Sequence, residues 1–289
     1  MELMIMASSI VDEAIRMLSH PLSQPISELS LLQQSLLFGE ISKISYYRPD
    51  IVWEAVSSVG FEEYEFFDRD GAQAYIVANQ HDCVVVCRGT EPNEWNDIKA
   101  DVNAMTVIAE NAGRVHRGFK REVDDLWPKL EHALRDNQKP LWFTGHSLGG
   151  AMATICAGRC KLAEISSNPE GLFTFGSPRV GNNRYINFVS IPHYRWVNNN
   201  DIVARVPPPW LGYSHCGREM YFNAFGRFRK YTPWRRFRDR WYGFFLSLRN
   251  WQIDHLADHN MSKYIESLQR ALEDEAAGRI KPVLKTPPK

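Results

Sequence analysis

Apolar positions in the first third of the chain change from a helical spacing to strand-like runs. Over residues 29–47 they recur every three or four positions, which predicts an amphipathic helix that ends at Arg48-Pro49-Asp50. Three strand-like runs follow, separated by polar, turn-forming sequences, at 61–67, 74–78 and 83–87. We interpret these runs as antiparallel strands joined by turns.

From residue 121 onward, helix-length and strand-length segments alternate. Helices are predicted over 121–134, 148–162, 184–188 and 261–276, and strands over 141–144, 172–175 and 194–197. Such alternation is typical of a parallel sheet with helices on both faces. The prediction is therefore an α/β fold with a mixed, mostly parallel central sheet, in a single domain over residues 1–289. A hairpin is expected at 213–222, and a disordered tail at about 281–289, where prolines recur.

Composition narrows the class of protein without selecting a function. The 289 residues have a formal net charge of zero, so no global charge favours a nucleic-acid partner. Five cysteines, an odd number at loose spacings, indicate neither a disulfide framework nor a metal site. The first residues lack the basic segment of a signal peptide, and no apolar window is long enough for a membrane span. We therefore expect a cytoplasmic protein, although secretion without a cleaved signal would leave the same sequence.

The sequence Gly145-His146-Ser147-Leu148-Gly149 is a G-x-S-x-G motif between a predicted strand and a predicted helix. That context is the one in which a nucleophile elbow occurs. The two glycines remove side chains that would collide across so sharp a turn. The helix N-terminus directs free N–H groups towards the serine and favours negative charge there. Ser147 is therefore the candidate nucleophile.

A serine nucleophile needs a histidine base held by a carboxylate, and on this kind of elbow the chain order is Ser, then Asp or Glu, then His. Asp201 follows the predicted strand 194–197 and a polar loop, at the sheet edge where α/β proteins place their sites. His259 precedes the last helix and is the preferred base, with His255 as its nearest rival. We interpret the other candidates as structural or pocket-lining: His116, His146 and His215.

Six short segments resemble the class 3 lipases, the group of the filamentous-fungal triacylglycerol lipases, which also includes feruloyl esterases and bacterial members. The segments are Arg88-Gly89-Thr90, 115–119, 145–150, 175–181, 200–203 with 206–208, and 258–264. The resemblance covers about residues 29–268 and implies an α/β-hydrolase fold with a triad of Ser147, Asp201 and His259. It also implies an oxyanion hole formed by the backbone N–H groups of Thr90 and Leu148, and chemistry that needs no metal and no cofactor.

The resemblance further implies a lid between the oxyanion strand and residues 115–119, at about 91–114. In this interval four residues fall three or four positions apart and form one apolar stripe: Trp95, Ile98, Val102 and Met105. A helix with this stripe could cover an apolar pocket and open at a lipid surface. The same pattern fits a surface helix packed on the core, and the sequence does not separate the two interpretations.

A segment at about 225–250 combines eight basic residues, one aspartate and nine aromatic side chains. Aromatic residues mixed with arginine suit peripheral contact with an anionic lipid interface. An insert that packs its aromatics over the core and solvates its arginines is an equal alternative. RNA binding is disfavoured, because no recognised RNA-binding fold accompanies the charge.

The predicted function is that of a serine carboxylic ester hydrolase, with acylglycerols as the first substrate class because of the resemblance and the lid pattern. One alternative is an esterase that acts on short-chain or feruloyl-type esters. Another is a non-catalytic binding module that retains the lipase fold. The expected partner is thus an acyl ester or lipid substrate and not a nucleic acid, and the sequence gives no oligomeric state.

Overall fold

The computed structural model describes residues 2–19, 21–69, 71–89, 105–109, 112–163, 165–166, 168–199, 201–229 and 259–285. Within these ranges the chain forms seven α-helices: α1 Glu2–Met17, α2 Leu31–Ile44, α3 Pro49–Ser58, α4 Arg117–Leu134, α5 Leu148–Cys160, α6 Asn183–Val189 and α7 Met261–Ala276. No helix among the described residues has both the length and the hydropathy that a bilayer span requires.

Seven strands of the described chain build one central sheet. In chain order, the nine strands of the described residues are β1 Glu63–Arg69, β2 Ala72–Ala78, β3 Cys83–Cys87, β4 Thr106–Ile108, β5 Arg114–His116, β6 Leu141–His146, β7 Pro169–Phe175, β8 His193–Asn198 and β9 Arg218–Phe222. The order across the sheet is β1-β2-β3-β6-β7-β8-β9, antiparallel from β1 to β3 and parallel from β3 to β9. Strands β4 and β5 form a separate antiparallel pair. The predicted mixed, mostly parallel sheet is confirmed.

Strand β3 is buried along its whole length and divides its side chains between two hydrophobic cores. Val84 and Val86 belong to the core that includes residues of α1, α2, α3 and α7. Cys83, Val85 and Cys87 belong to the core that includes residues of α4, α5 and α6. Successive strand side chains point to opposite faces, so a sheet covered on both faces requires a continuous apolar run. All five cysteines are free and buried.

The helix predicted over 29–47 is present as α2, but the segment after it forms a further helix. Ser30 caps α2 through a capping box with Gln33. The sequence Arg48-Pro49-Asp50, expected to end the helix, begins α3, with Arg48 as its N-cap. Proline is compatible with a first helical turn because the N–H it lacks would have no acceptor within the helix. Helix α1 was likewise not predicted from the sequence.

Two expectations for the C-terminal half are wrong. The segment 213–222 contains one strand, β9, which pairs parallel with β8, because residues 199–217 are long enough to return the chain to the same end of the sheet. The tail expected to be disordered from 281 is attached as far as 285. The N–H of Val283 donates to Glu275 at 2.8 Å, and Arg218 donates to the carbonyl of Leu284 at 3.0 Å. Residues 286–289 lie outside the described ranges.

Candidate active site

Ser147 occupies the sharp turn between strand β6 and helix α5. Its backbone has φ 60° and ψ −130°, a conformation that a non-glycine residue keeps only when the surrounding structure imposes it. Its N–H donates to the carbonyl of Phe175, at the end of β7, over 2.9 Å. The side chain is 1% exposed, and its Oγ makes no hydrogen bond with the described residues. The turn therefore has the geometry of a nucleophile elbow.

Two glycines allow the backbone segments around this turn to touch. A Cβ on Gly145 would lie 2.4 Å from the carbonyl carbon of Gly149, and a Cβ on Gly149 would lie 2.2 Å from the carbonyl oxygen of Cys87. The end of β3 therefore packs directly on the start of α5. Leu148 is the first residue of α5, where an N–H has no acceptor within the helix. The other predicted oxyanion donor, Thr90, lies outside the described residues.

Asp201 and His259, the predicted acid and base, lie together and are almost fully buried, at 0% and 2% exposure. His259 Nδ1 is 3.0 Å from Oδ2 and 3.1 Å from Oδ1 of Asp201. A carboxylate only accepts hydrogen bonds, so Nδ1 carries the proton and Nε2 keeps the lone pair that a general base uses. A Cβ on Gly176 would lie 2.6 Å from Asp201 and 2.8 Å from His259, so the chain just after Phe175 packs against this pair.

Three further donors orient the Asp201 carboxylate. The hydroxyl of Tyr264, in the first turn of α7, donates to Oδ2 over 2.5 Å, and the N–H groups of Val203 and Ala204 donate to Oδ1 over 2.9 Å and 3.4 Å. The Tyr264 oxygen also accepts the N–H of Asn198, at the end of β8, over 3.1 Å. Sequence reasoning assigned no role to Tyr264, although it ends the segment 258–264. Its contact with Asp201 follows from the packing of α7 on the sheet.

His146 and Tyr46 fix the backbone of His259. His146 Nε2 donates to the carbonyl of His259 over 2.8 Å, so its Nδ1 accepts the hydroxyl of Tyr46 over 3.0 Å. The two imidazole rings also pack together, with centroids 4.5 Å apart. Burial, followed by the neighbouring His259, lowers the pKa of His146 to about 3, which keeps it in this neutral form. The prediction of a structural or pocket-lining His146 agrees with these contacts, whereas Tyr46 was not identified.

Residues 84–210 match the sequence model of the family described as "Lipase (class 3)". This stretch of the chain is thus similar to the class 3 lipases. A solved structure of a triacylglycerol lipase, whose catalytic centre is described as a serine protease triad, superposes with a TM-score of 0.57 and 27% identity. The superposition covers 65% of this chain and 78% of that one. The fold is thus the α/β-hydrolase fold of the lipases.

Curated lipases match over shorter stretches. The lipase of Rhizomucor miehei is 38% identical over 118 residues, which are 37% of this chain and 32% of that protein. The secreted mono- and diacylglycerol lipase 1 of Fusarium solani is 40% identical over 126 residues, which are 41% of this chain and 37% of that protein. The chain therefore spans about a third of the length of these curated relatives.

Two further histidines, His193 and His215, make structural contacts. His193 bonds Thr174 at 2.8 Å and Cys216 at 3.0 Å, and burial lowers its pKa to about 3. His215 donates to the carbonyl of Ala204 over 2.8 Å, and burial lowers its pKa to about 2. These contacts fit the structural role expected of His215. The rival base, His255, lies outside the described residues.

The lipase lid predicted at about 91–114 is described only near its C-terminal end. Trp95, Ile98 and Val102 lie outside the described residues, and Met105 is 55% exposed in an extended segment. Residues 106–108 form β4 and pair with β5, so this part of the interval is a strand pair and not a helix. The run of β-branched residues at 106–108 favours that outcome.

The aromatic–basic segment predicted at 225–250 is described as far as residue 229. Its two described aromatic residues differ in environment. Phe228 is 8% exposed and packs on Trp196 with ring centroids 5.6 Å apart, whereas Phe225 is 55% exposed. The start of the segment is therefore anchored to the core, and the two interpretations of its remainder stay open.

Proposed function

We propose that this protein is a serine carboxylic ester hydrolase that cleaves acylglycerols through an acyl-enzyme. The observation that carries the proposal is the buried Asp201–His259 hydrogen bond beside the strained turn that holds Ser147. An imidazole whose Nδ1 is fixed by a carboxylate is the arrangement that activates a serine hydroxyl. The match of residues 84–210 to the class 3 lipase model supports the same chemistry.

In the proposed cycle, Ser147 Oγ attacks the carbonyl carbon of the ester while His259 Nε2 takes its proton. The N–H of Leu148 stabilises the charge that forms on the carbonyl oxygen, and the family resemblance adds the N–H of Thr90. Each such donor contributes roughly 10²–10³ in kcat. His259 then passes the proton to the oxygen of the leaving alcohol. Water, deprotonated by His259, attacks the acyl-enzyme, and His259 returns that proton to Ser147 Oγ as the carboxylic acid leaves.

The substrate class is the finer part of the proposal. Relatives named as a mono- and diacylglycerol lipase and as a triacylglycerol lipase support acylglycerols. A soluble-ester hydrolase would use the same triad, because the reaction at the carbonyl carbon is the same. A binding module that retained the fold would also retain the buried pair. Two measurements therefore separate these functions: how the hydrolysis rate depends on the length of the acyl chain, and whether hydrolysis requires Ser147.

The test is a series of initial rates on p-nitrophenyl esters from acetate to palmitate, with the wild-type protein and the Ser147→Ala variant. We expect wild-type hydrolysis that persists on long acyl chains, and a loss of at least about 10³-fold in kcat in the variant. Circular dichroism of both proteins checks that the variant keeps its fold.

Other outcomes of the same series favour the alternatives. Serine-dependent hydrolysis confined to the shortest esters would replace the lipase by an esterase. Equal, negligible rates from two folded proteins would contradict enzymatic activity and favour the binding module.

A further inference from the structure

The direction of the Asp201 carboxylate depends on a short turn that follows it. The segment 201–208 comes after β8, and Val203–Arg205 form a single 3₁₀ turn within it. The N–H groups of Val203 and Ala204, at the start of this turn, donate to Asp201 Oδ1. We call the segment 201–208 the Asp201 loop. A displacement of its turn would also displace the donors to the carboxylate.

Four consecutive carbonyl groups of the Asp201 loop, those of residues 204–207, accept hydrogen bonds from two residues outside it. Nη1 of Arg179 donates to the carbonyls of Arg205 and Pro207, the latter over 3.0 Å. The backbone N–H of Arg179 donates to the carbonyl between these two, over 2.7 Å. His215 donates to the carbonyl just before them, over 2.8 Å. Three of the four hydrogen bonds therefore come from a single residue, Arg179.

The chain segment that carries Arg179 also supports the nucleophile turn. The carbonyl of Phe175, the last residue of β7, accepts the N–H of Ser147 over 2.9 Å. A Cβ on Gly150, in the first turn of α5, would lie 2.8 Å from the side chain of Ser177, so α5 packs directly on this segment. Arg179 follows in the same segment and therefore fastens the Asp201 loop to the support of Ser147.

An arginine is suited to hold a loop in this way. The carbonyls of a loop have no partner strand, and they bind water unless the protein supplies other donors. The guanidinium of Arg179 stays charged and holds its N–H groups in a rigid plane, and hydrogen bonds from a charged donor are stronger than neutral ones. Arg179 is also partly buried, which limits the access of competing water.

We propose that Arg179 is a positioning residue for ester hydrolysis and acts on the reaction through Asp201. It fixes the Asp201 loop, the turn of that loop directs the carboxylate, and the carboxylate orients His259. The inference rests on the proposed function, because it concerns the same triad. It adds a dependence of the reaction on an arginine that belongs to none of the catalytic groups.

The test is a double-mutant cycle on a soluble short-chain ester, with Arg179→Met and Asp201→Asn alone and combined. Arg179→Met keeps a long apolar side chain but removes the guanidinium, so kcat should fall about tenfold, the worth of one hydrogen bond from a charged group. KM should stay within about twofold, because the lost bonds hold the triad and not the substrate.

The second background shows whether Arg179 acts through the carboxylate. Asp201→Asn removes that carboxylate, so adding Arg179→Met should lower the remaining kcat by less than about twofold. These slower rates are measured at a higher enzyme concentration. An arginine that only stabilised the fold would lower kcat by the same factor in both backgrounds, and that result would overturn the proposal.

Two further variants serve as controls. Arg218→Met removes a partly buried guanidinium that donates to the carbonyl of Leu284, at the start of β9 and opposite the sheet edge that carries Asp201. This variant should keep the wild-type kcat. Arg179→Lys keeps the charge on a shorter side chain, so kcat should fall only about threefold, and it replaces Arg179→Met in the cycle if that variant does not fold.

A readout that does not require catalysis separates this inference from the proposed function. The proton between His259 Nδ1 and Asp201 should give a proton NMR resonance far downfield of the amide region, and Asp201→Asn assigns it by removing it. We expect the resonance to shift or broaden in Arg179→Met and to stay unchanged in Arg218→Met.

The outcomes divide clearly. An unchanged kcat or an unchanged resonance in Arg179→Met would overturn the positioning role, as would an equal loss of kcat in Arg218→Met. If the wild-type protein hydrolysed no ester while the resonance still depended on Arg179, the positioning of Asp201 would stand and the proposed function would fail.

Discussion

The carboxylate of Asp201 is held by more than its bond to His259. Tyr264 donates to one of its oxygens, and the N–H groups of Val203 and Ala204 donate to the other. A buried carboxylate supported in this way can point in only one direction, which in turn fixes the imidazole plane of His259. At the residue scale, the proposed activity should therefore also depend on side chains that do not touch the substrate.

The variant Tyr264→Phe isolates this support. It removes one charge-assisted hydrogen bond and keeps the ring, so we expect kcat to fall about tenfold with little change in KM. Steady-state rates on a soluble ester measure kcat and KM. An unchanged kcat together with a lower melting temperature would show a merely structural tyrosine.

A second substitution tests the support of the His259 backbone. His146→Phe keeps an aromatic ring beside His259 but removes the donor to its carbonyl, so kcat should fall about fivefold, the worth of one neutral hydrogen bond. Tyr46→Phe is the matched control, since it removes the donor to His146 and leaves the bond from His146 to His259 in place, so kcat should fall less. A larger loss of kcat in Tyr46→Phe than in His146→Phe would contradict the account, in which Tyr46 acts on His259 through His146.

The candidate nucleophile, acid and base could be selected from sequence because each sits in a recognisable local context. Ser147 is flanked by glycines that its turn requires, and Asp201 follows a strand of the predicted parallel sheet. Tyr46 had no such signal, since it lies 100 residues before His146 and meets it only through the packing of the segment after α2. Contacts of this separation depend on tertiary structure, which local pattern does not encode.

At the element scale, most boundaries followed from hydrophobic spacing, and the errors have local causes. Helix α7 has the predicted bounds, because Asn260 caps it and its apolar residues are regularly spaced. Helix α3 was not predicted because a proline that can end a helix lies here in a first turn. Strand β4 was not predicted because its three β-branched residues lie inside the interval assigned to a lid helix.

Helix α1 is attached to α2 through a buried carboxyl group. Glu40 of α2 is 1% exposed and accepts the N–H and the hydroxyl of Ser19, just after α1. Burial raises the pKa of Glu40 to about 7, although the bonds from Ser19 oppose the shift. The pKa in the folded protein exceeds that in the unfolded chain, so this stabilisation is complete below about pH 4.5 and is lost as the pH rises through 7.

We therefore predict that Glu40→Gln flattens the pH dependence of stability. The amide stays neutral, so the variant should gain up to about 3 kcal/mol relative to the wild type between pH 5 and pH 8. Urea unfolding at these two pH values measures the difference, and the exposed Glu54→Gln serves as control. A wild-type protein that loses no more stability than Glu40→Gln over this range would contradict the assignment.

At the scale of the whole molecule, the seven-stranded sheet explains why residues distant in sequence meet. Parallel strands β6, β7 and β8 end at one edge, and the segments that leave them carry Ser147, Gly176 and Asp201. The mixed sheet and this edge were predicted from the order of segments alone. The packing of the tail on β9 and α7 was not predicted, because a proline-rich composition does not indicate which groups of the folded protein will form hydrogen bonds with the tail.

The central claim is that Ser147 is a nucleophile activated by His259 and Asp201, and covalent labelling tests it most directly. The folded wild-type protein, Ser147→Ala and His259→Gln are incubated with a fluorophosphonate, and the adduct is located by mass spectrometry. We predict an adduct on Ser147, none in Ser147→Ala, and labelling at least about 10³-fold slower in His259→Gln. A wild-type protein that stays unlabelled, or that reacts equally fast without His259, would contradict the claim.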